Sequence, residues 1–203
     1  LAVVAVLIRL MEPVTVWRQE GFVTLLSLLG AVSILFGNAL ALQQTSLKRL
    51  LAYSSIAHVG YLMIALLIVP GAGVEAASIY LATYVLTSLG VFAVLTSLGS
   101  FQDDTPGDSF DHLRGLFSRN PFLAIVLAFN LLSLAGIPLT AGFIGKFSLF
   151  MAGATAGLWV LLVIAAVGSG IGIYYYLRTL GLLFQAPDAR LVPVTVNLSN
   201  LAL

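Results

Sequence analysis

The stretch LAGIPLTAGFIGKF, Leu134 to Phe147, places a lysine inside strongly apolar sequence. Lys146 has no charged residue before it back to Arg119, and none after it until Arg178. A lone ammonium in a low-dielectric medium is expensive to hold, so a chain that keeps one has a use for it. The chemistry open to it is proton exchange, because an amine takes up a proton and returns it, whereas a guanidinium stays charged. Just ahead of it lies AGIPLTAG, with Pro138 flanked by Gly136 and Gly142. Proline removes an internal helix hydrogen bond and biases the preceding residue away from helix. Gly136, Pro138 and Gly142 are therefore read as a helix break, with Lys146 about two turns past it. The alternative is a proline-kinked helix whose lysine snorkels to the surface.

A second group lies in LKRLLAYSSIAHVGY, Leu47 to Tyr61. His58 falls about eleven residues into an apolar run. Ser54 and Ser55 lie one turn before it and Tyr61 one turn after, on a shared helical face. Hydroxyls flanking an imidazole can pass protons, and histidine titrates near neutral pH. The same residues also suit a neutral histidine hydrogen-bonded between helices, and the two readings stand side by side. Lys48 and Arg49 read as an interfacial anchor, and His112 as a solvated loop residue. In IGIYYYLR, Ile171 to Arg178, the tyrosines read as an interfacial aromatic belt, and Gly168, Ser169, Gly170 and Gly172 as close helix packing.

The elements that must position these residues follow from composition. Hydrophobic residues make up 60% of the 203, and charged residues 8%, against about 25% charged in a soluble domain. Mean hydropathy is +1.08. The charges cluster, leaving uncharged runs at 21–47, 50–74, 76–102 and 120–145. Each is longer than the ~20 residues of a spanning helix, and the short alternating segments of a membrane β-barrel do not occur. The chain reads as an all-α, polytopic transmembrane helix bundle. A net charge of +1 gives no basic face for nucleic acid, and the absence of cysteine excludes disulfides and thiolate metal or iron–sulfur sites. No nucleophile elbow, zinc-protease motif, phosphate loop or dinucleotide fingerprint occurs, so no catalytic, cofactor-binding or metal residue is assigned.

Five full spans are expected, at 22–43, 47–69, 76–99, 121–153 and 158–184, in a single membrane domain. None of them contains Asp or Glu. Residues 1–12 are expected to be the end of a truncated helix, 101–120 a cytoplasmic loop, and the tail after Pro187 too short for another span. The span at 121–153 is anomalous. Its 33 residues would make a helix of about 50 Å, against a hydrocarbon core of ~30 Å. It is therefore expected as two half-helices broken near 135–142, with Lys146 pointing into the bundle. Asn120-Pro121 is a good helix start. Lys48, Arg49, Arg114, Arg119, Arg178 and Arg190 fall on one side of this topology, and only Arg9 and Arg18 on the other, which places the Lys48 side in the cytoplasm.

LALQQTSLKRLLAYSSIAHVGYLMIAL, SLAGIPLTAGFIGKF and GIYYYLR together resemble the antiporter-like membrane subunits of bacterial NADH-quinone oxidoreductase, respiratory complex I. Their spacing points to the subunit N branch. The resemblance runs across essentially the whole chain. It implies one of two inverted five-helix repeats, a bacterial inner-membrane location, and a C-terminal fragment lacking the N-terminal half of the subunit. It implies a proton-translocating role coupled to NADH:quinone electron transfer, with Lys146 in the proton pathway. The family's glutamate–lysine pair and the lysine of the preceding helix have no counterpart in this chain. NADH, flavin, iron–sulfur clusters and quinone are expected in partner subunits. The expected partners are the other membrane subunits, the missing half and the bilayer. An Mrp-type cation/proton antiporter or membrane-bound hydrogenase subunit shares the scaffold, and a structural membrane scaffold is the non-transport alternative.

Overall fold

A computed structural model describes residues 20–68, 71–99 and 110–186. Expectations for residues 1–12, for the first part of the 101–120 loop and for the tail after Pro187 lie outside the described residues. The chain forms α1 (Glu20–Leu42), α2 (Leu47–Leu66), α3 (Ala72–Gly99), α4 (Phe110–Leu113), α5 (Leu116–Arg119), α6 (Pro121–Ala135), α7 (Ala141–Thr155) and α8 (Trp159–Leu183). Among the described residues, α1, α2, α3 and α8 are long and apolar enough to cross a membrane. The helix ends follow local chemistry. The Ser46 hydroxyl accepts from the Arg49 N–H at the start of α2. Asn120 accepts from the Leu123 N–H, with Pro121 as the first residue of α6.

α6 and α7 hold 15 residues each, about 22 Å apiece and too short to cross alone. Both lie along α3, in sequence and antiparallel to it. Asn130 faces Gly90, the hydroxyls of Ser133 and Thr87 lie 3.1 Å apart, and Gly145 faces Tyr80 and Thr83. The halves therefore run end to end along α3, interrupted between Ala135 and Ala141.

α1 and α2 approach closely because glycines face each other's backbone. A Cβ on Gly60 would meet the Gly30 carbonyl and Ile34, and one on Gly37 would meet Ala57. Without a hydrophobic drive between helices in lipid, such close packing supplies much of the association energy. Two apolar clusters result. One gathers Leu47, Leu50, Leu95, Leu116, Leu127 and Leu131 near the α2 start. The other gathers Ile34, Ile64, Ala77, Leu149 and Leu162 toward its end. Buried polar residues, His58, Thr87, Ser133 and Lys146 among them, lie between the two. The outward faces carry large apolar side chains such as Phe36, Leu86, Phe129 and Val160, as hydrocarbon surroundings permit.

Three expectations need correction. α3 begins four residues before Ala76, so Glu75 falls in its first turn, where the positive end of the helix dipole favours a carboxylate. Residues 110–119 are not plain loop. Phe110, Leu113 and Leu116 are buried in the first apolar cluster. They are held there as the Phe110 N–H donates to the Thr45 carbonyl and the Gly115 N–H to the Leu182 carbonyl, each at 3.1 Å. His112 belongs to the same segment and is half-buried, with its Nδ1 shielded and its carbonyl accepting from the Arg119 guanidinium. The tyrosines of IGIYYYLR also divide. Tyr174 is 61% exposed, whereas Tyr175 and Tyr176 are 2% and 1% exposed and face the bundle interior. Successive helical positions differ by about 100°, so one of three neighbours looks outward while two look in.

Candidate functional site

The site is built on the break between α6 and α7. Gly136 ends α6 in the left-handed region, at φ 78°, and its N–H closes onto the Leu132 and Ser133 carbonyls. Glycine takes this backbone at no steric cost. Thr140 then starts α7, its hydroxyl accepting from the Phe143 N–H. Between them Pro138 cannot continue a helix, and Leu139 also adopts a positive φ of 76°. Gly142 lies so close to Ser133 that a side chain there would strike the Ser133 carbonyl, and its N–H donates to the Ser133 hydroxyl at 3.0 Å.

Lys146 sits one and a half turns into α7 and is 8% exposed. Its side chain runs back across Gly136. A Cβ on that glycine would meet the lysine Cδ at 2.7 Å and Nζ at 3.2 Å. The ammonium donates to the Ala135 carbonyl at 2.8 Å and to the Ser169 hydroxyl of α8 at 3.2 Å. Ala135 closes α6, so its carbonyl belongs to the unpaired, partly negative end of that half-helix. The charge also lies 5.6 Å from the centre of the Tyr61 ring, within cation–π range. Among the described residues no carboxylate pairs with it. A buried cation is thus held by a helix end, a hydroxyl and an aromatic face, each weaker than an ion pair.

His58, 6% exposed, faces the same chamber. Its Nδ1 lies 2.6 Å from the Tyr80 hydroxyl. Its ring packs 4.5 Å from that of Tyr84 and edge-on to Tyr61 at 5.9 Å. Tyr80, Thr83, Tyr84, Thr87, Ser133, Leu134 and Gly142 complete a cavity of about 10 Å³ between His58 and Lys146. That is the least space one water needs. Ser54 and Ser55 lie outside it. Their hydroxyls donate to the Leu51 and Ala52 carbonyls of their own helix, at 2.9 and 2.7 Å. Tyr61 also belongs to a second chain of contacts. Asn38 of α1 donates to its hydroxyl at 3.4 Å and accepts from the Tyr175 hydroxyl at 3.0 Å.

Sequence reading did not single out Tyr80, Tyr84, Thr87, Ser133, Asn38 or Tyr175 as members of this site. For α3 a signal existed, because Tyr80, Tyr84 and Thr87 recur at i, i+4 and i+7 in an otherwise apolar helix. Ser169 was noted only for close packing, yet it binds the ammonium.

A half-helix break, a buried lysine beside it and a histidine across a small polar chamber distinguish this all-helical membrane fold. The family described as NADH:quinone oxidoreductase/Mrp antiporter, transmembrane, matches residues 1–172, and the chain belongs to it. Curated relatives named NADH-quinone oxidoreductase subunit N narrow the likeness. The one from Ectopseudomonas mendocina (strain ymp) is 54% identical over 188 residues, 91% of this chain and 37% of that protein. The one from Chromohalobacter salexigens is 50% identical over 184 residues, 90% and 38% of the two. A chain of respiratory complex I from Thermus thermophilus with bound aureothin superposes with TM-score 0.72 at 42% identity, covering 81% of this chain and 37% of that one. A chain of the Mrp complex from Dietzia sp. DQ12-45-1b gives 0.75 at 21% identity, over 85% and 32%, a likeness of fold alone. The chain thus spans under two fifths of the curated relatives it matches. It is a multi-pass protein of the bacterial cell membrane.

Proposed function

We infer that this chain is the lysine-bearing repeat of a proton-translocating membrane subunit of NADH-quinone oxidoreductase, and that a proton pauses on Lys146. The observation that carries this reading is the ammonium held at the α6–α7 break with no carboxylate partner among the described residues. Burial penalises its charge, while the Ala135 carbonyl and the Tyr61 ring favour it. A proton carrier requires opposed effects of this kind, since neither its charged nor its neutral form may be locked in. Curated subunit N relatives at 54% and 50% identity favour the oxidoreductase over a cation/proton antiporter.

In this reading His58, across the chamber, exchanges protons with Lys146 through the intervening water site. Gly136, Pro138 and Gly142 hold the break open. Tyr61 supports the charge, and Ser54 and Ser55 extend the polar path toward the α2 start. Traverses follow the order of the spans, with the segment 110–119 on the cytoplasmic side. The energy comes from NADH:quinone electron transfer, with NADH, flavin, iron–sulfur clusters and quinone held by partner subunits. The remainder of the subunit and the neighbouring membrane subunits complete the path.

The test uses the full-length subunit within its complex. Lys146→Ala is expected to assemble yet form little proton gradient in vesicles, while NADH:quinone turnover is measured in parallel. Lys146→Arg keeps the charge but cannot release a proton, so it is expected to fail nearly as badly. Full gradient formation by the arginine variant at matched complex content refutes the carrier role. Full activity in both variants supports a structural scaffold instead.

A further inference from the structure

A second cavity, of about 180 Å³, lies between α2 and α3 and is lined by Lys48, Ser54, Ser55, Tyr84, Ser88 and Leu134, among others. A water needs roughly 10–15 Å³ of such space, so several waters fit, and four hydroxyls offer them partners. At one end is Lys48, exposed in the first turn of α2, so the cavity reaches that face of the bundle. At the other end are Tyr84 and Leu134, which also line the lysine chamber. These two residues alone are shared. Along α3 the division is sharp: Thr83 and Thr87 line the chamber, Ser88 lines the outer cavity, and Tyr84 lines both.

Tyr84 is placed as a wall. Its ring lies against His58 at 4.5 Å on the chamber side. Its hydroxyl has Ser55 and Ser88 as polar neighbours on the other side. We propose that the 180 Å³ cavity is a water-filled access path from the Lys48 face to the lysine chamber, and that the Tyr84 ring, with Leu134, is the partition that closes it in this conformation. The proposal deepens the proton-carrier reading and rests on it for its purpose. It concerns water access, which is measured without proton pumping.

Partition, rather than relay through the phenol, is what the geometry favours, because the ring and not the hydroxyl meets His58. A side-chain rotation of Tyr84 would join the two spaces without moving a helix.

The absence of cysteine gives a direct assay, since a thiol introduced here is unique in this chain. Ser88→Cys, Thr87→Cys and Arg49→Cys are each made in the full-length subunit within its complex. They are labelled by a charged, membrane-impermeant methanethiosulfonate applied to one side of sealed vesicles, with the parent complex as background. Arg49→Cys, exposed beside Lys48, marks the side. Ser88→Cys is expected to react from that same side, and Thr87→Cys at least about tenfold more slowly, because only a hydrated thiolate reacts. Tyr84→Ala is expected to bring Thr87→Cys close to the Ser88→Cys rate, while Tyr84→Phe, which keeps the ring, leaves it slow.

An unreactive Ser88→Cys in an assembled complex overturns the proposal and makes the cavity a dry, lipid-filled groove. Reaction only from the side opposite Arg49→Cys overturns it too. Equal rates at positions 87 and 88 with Tyr84 intact remove the partition. The comparison of those two positions stands by itself if Tyr84→Ala does not assemble. A Lys146→Arg variant that pumps fully sinks the carrier reading but leaves these labelling rates as they are, so the two failures are told apart.

Discussion

Gly136→Ala is the change whose cost can be worked from the structure and checked against an internal control. At φ 78° an alanine adopts the left-handed region at a cost of about 1–2 kcal/mol. The new methyl also occupies space where the lysine Cδ and Nζ would lie 2.7 and 3.2 Å away. Lys146 then moves off the Ala135 carbonyl, losing a charge-assisted hydrogen bond of about 1.5–3 kcal/mol inside the bundle. The sum is about 2.5–5 kcal/mol. Gly157 isolates the second part. It has φ 73° and nothing within 4 Å of a would-be Cβ, so Gly157→Ala carries the backbone cost of about 1–2 kcal/mol and no more. Both variants are made in the full-length subunit, and retention of the subunit in the complex is followed through graded heating or denaturant. Gly136→Ala is expected to lose the subunit well before Gly157→Ala, and to lower proton-gradient formation at matched complex content. Equal losses would mean that the lysine does not lie across Gly136, and would refute this account of the break.

Two further outcomes follow from the polar layer. His58→Ala leaves the Tyr80 hydroxyl buried without its partner, so it is expected to cost more than the double variant with Tyr80→Phe predicts by addition, with a coupling of about 1–3 kcal/mol in a double-mutant cycle. If His58 also carries protons, gradient formation falls in a complex that still assembles; normal assembly with normal pumping removes it from the site. Asn38→Leu strips Tyr175 and Tyr61 of their shared partner and is expected to lower stability by about 2–6 kcal/mol from two unsatisfied buried hydroxyls. A neutral effect there would show that water replaces the amide.

The sequence by itself determined the medium, the break and the lysine. Each of these is a local or compositional property. Run length against bilayer thickness makes the helices, Gly136 and Pro138 stop α6 whatever surrounds it, and Thr140 caps α7 three residues before the N–H it accepts from. Lys146 was legible because a single charge amid apolar residues needs no structure to be seen. The same information could not say what surrounds it. Ser169 comes from α8, Tyr61 from α2, and Tyr80, Tyr84 and Thr87 from α3, positions brought together only by helix packing. Nor could composition tell Tyr174 from Tyr175, because every face of these helices is apolar and hydrophobic periodicity, which marks the inner face of a soluble helix, is erased by lipid. Tertiary structure decided which hydroxyls meet the lysine and which, like those of Ser54 and Ser55, line a separate space. The reason is geometric: glycine contacts at Gly37, Gly60, Gly145 and Gly168 fix the helix rotations, and rotation, not sequence order, selects the neighbours of a buried charge.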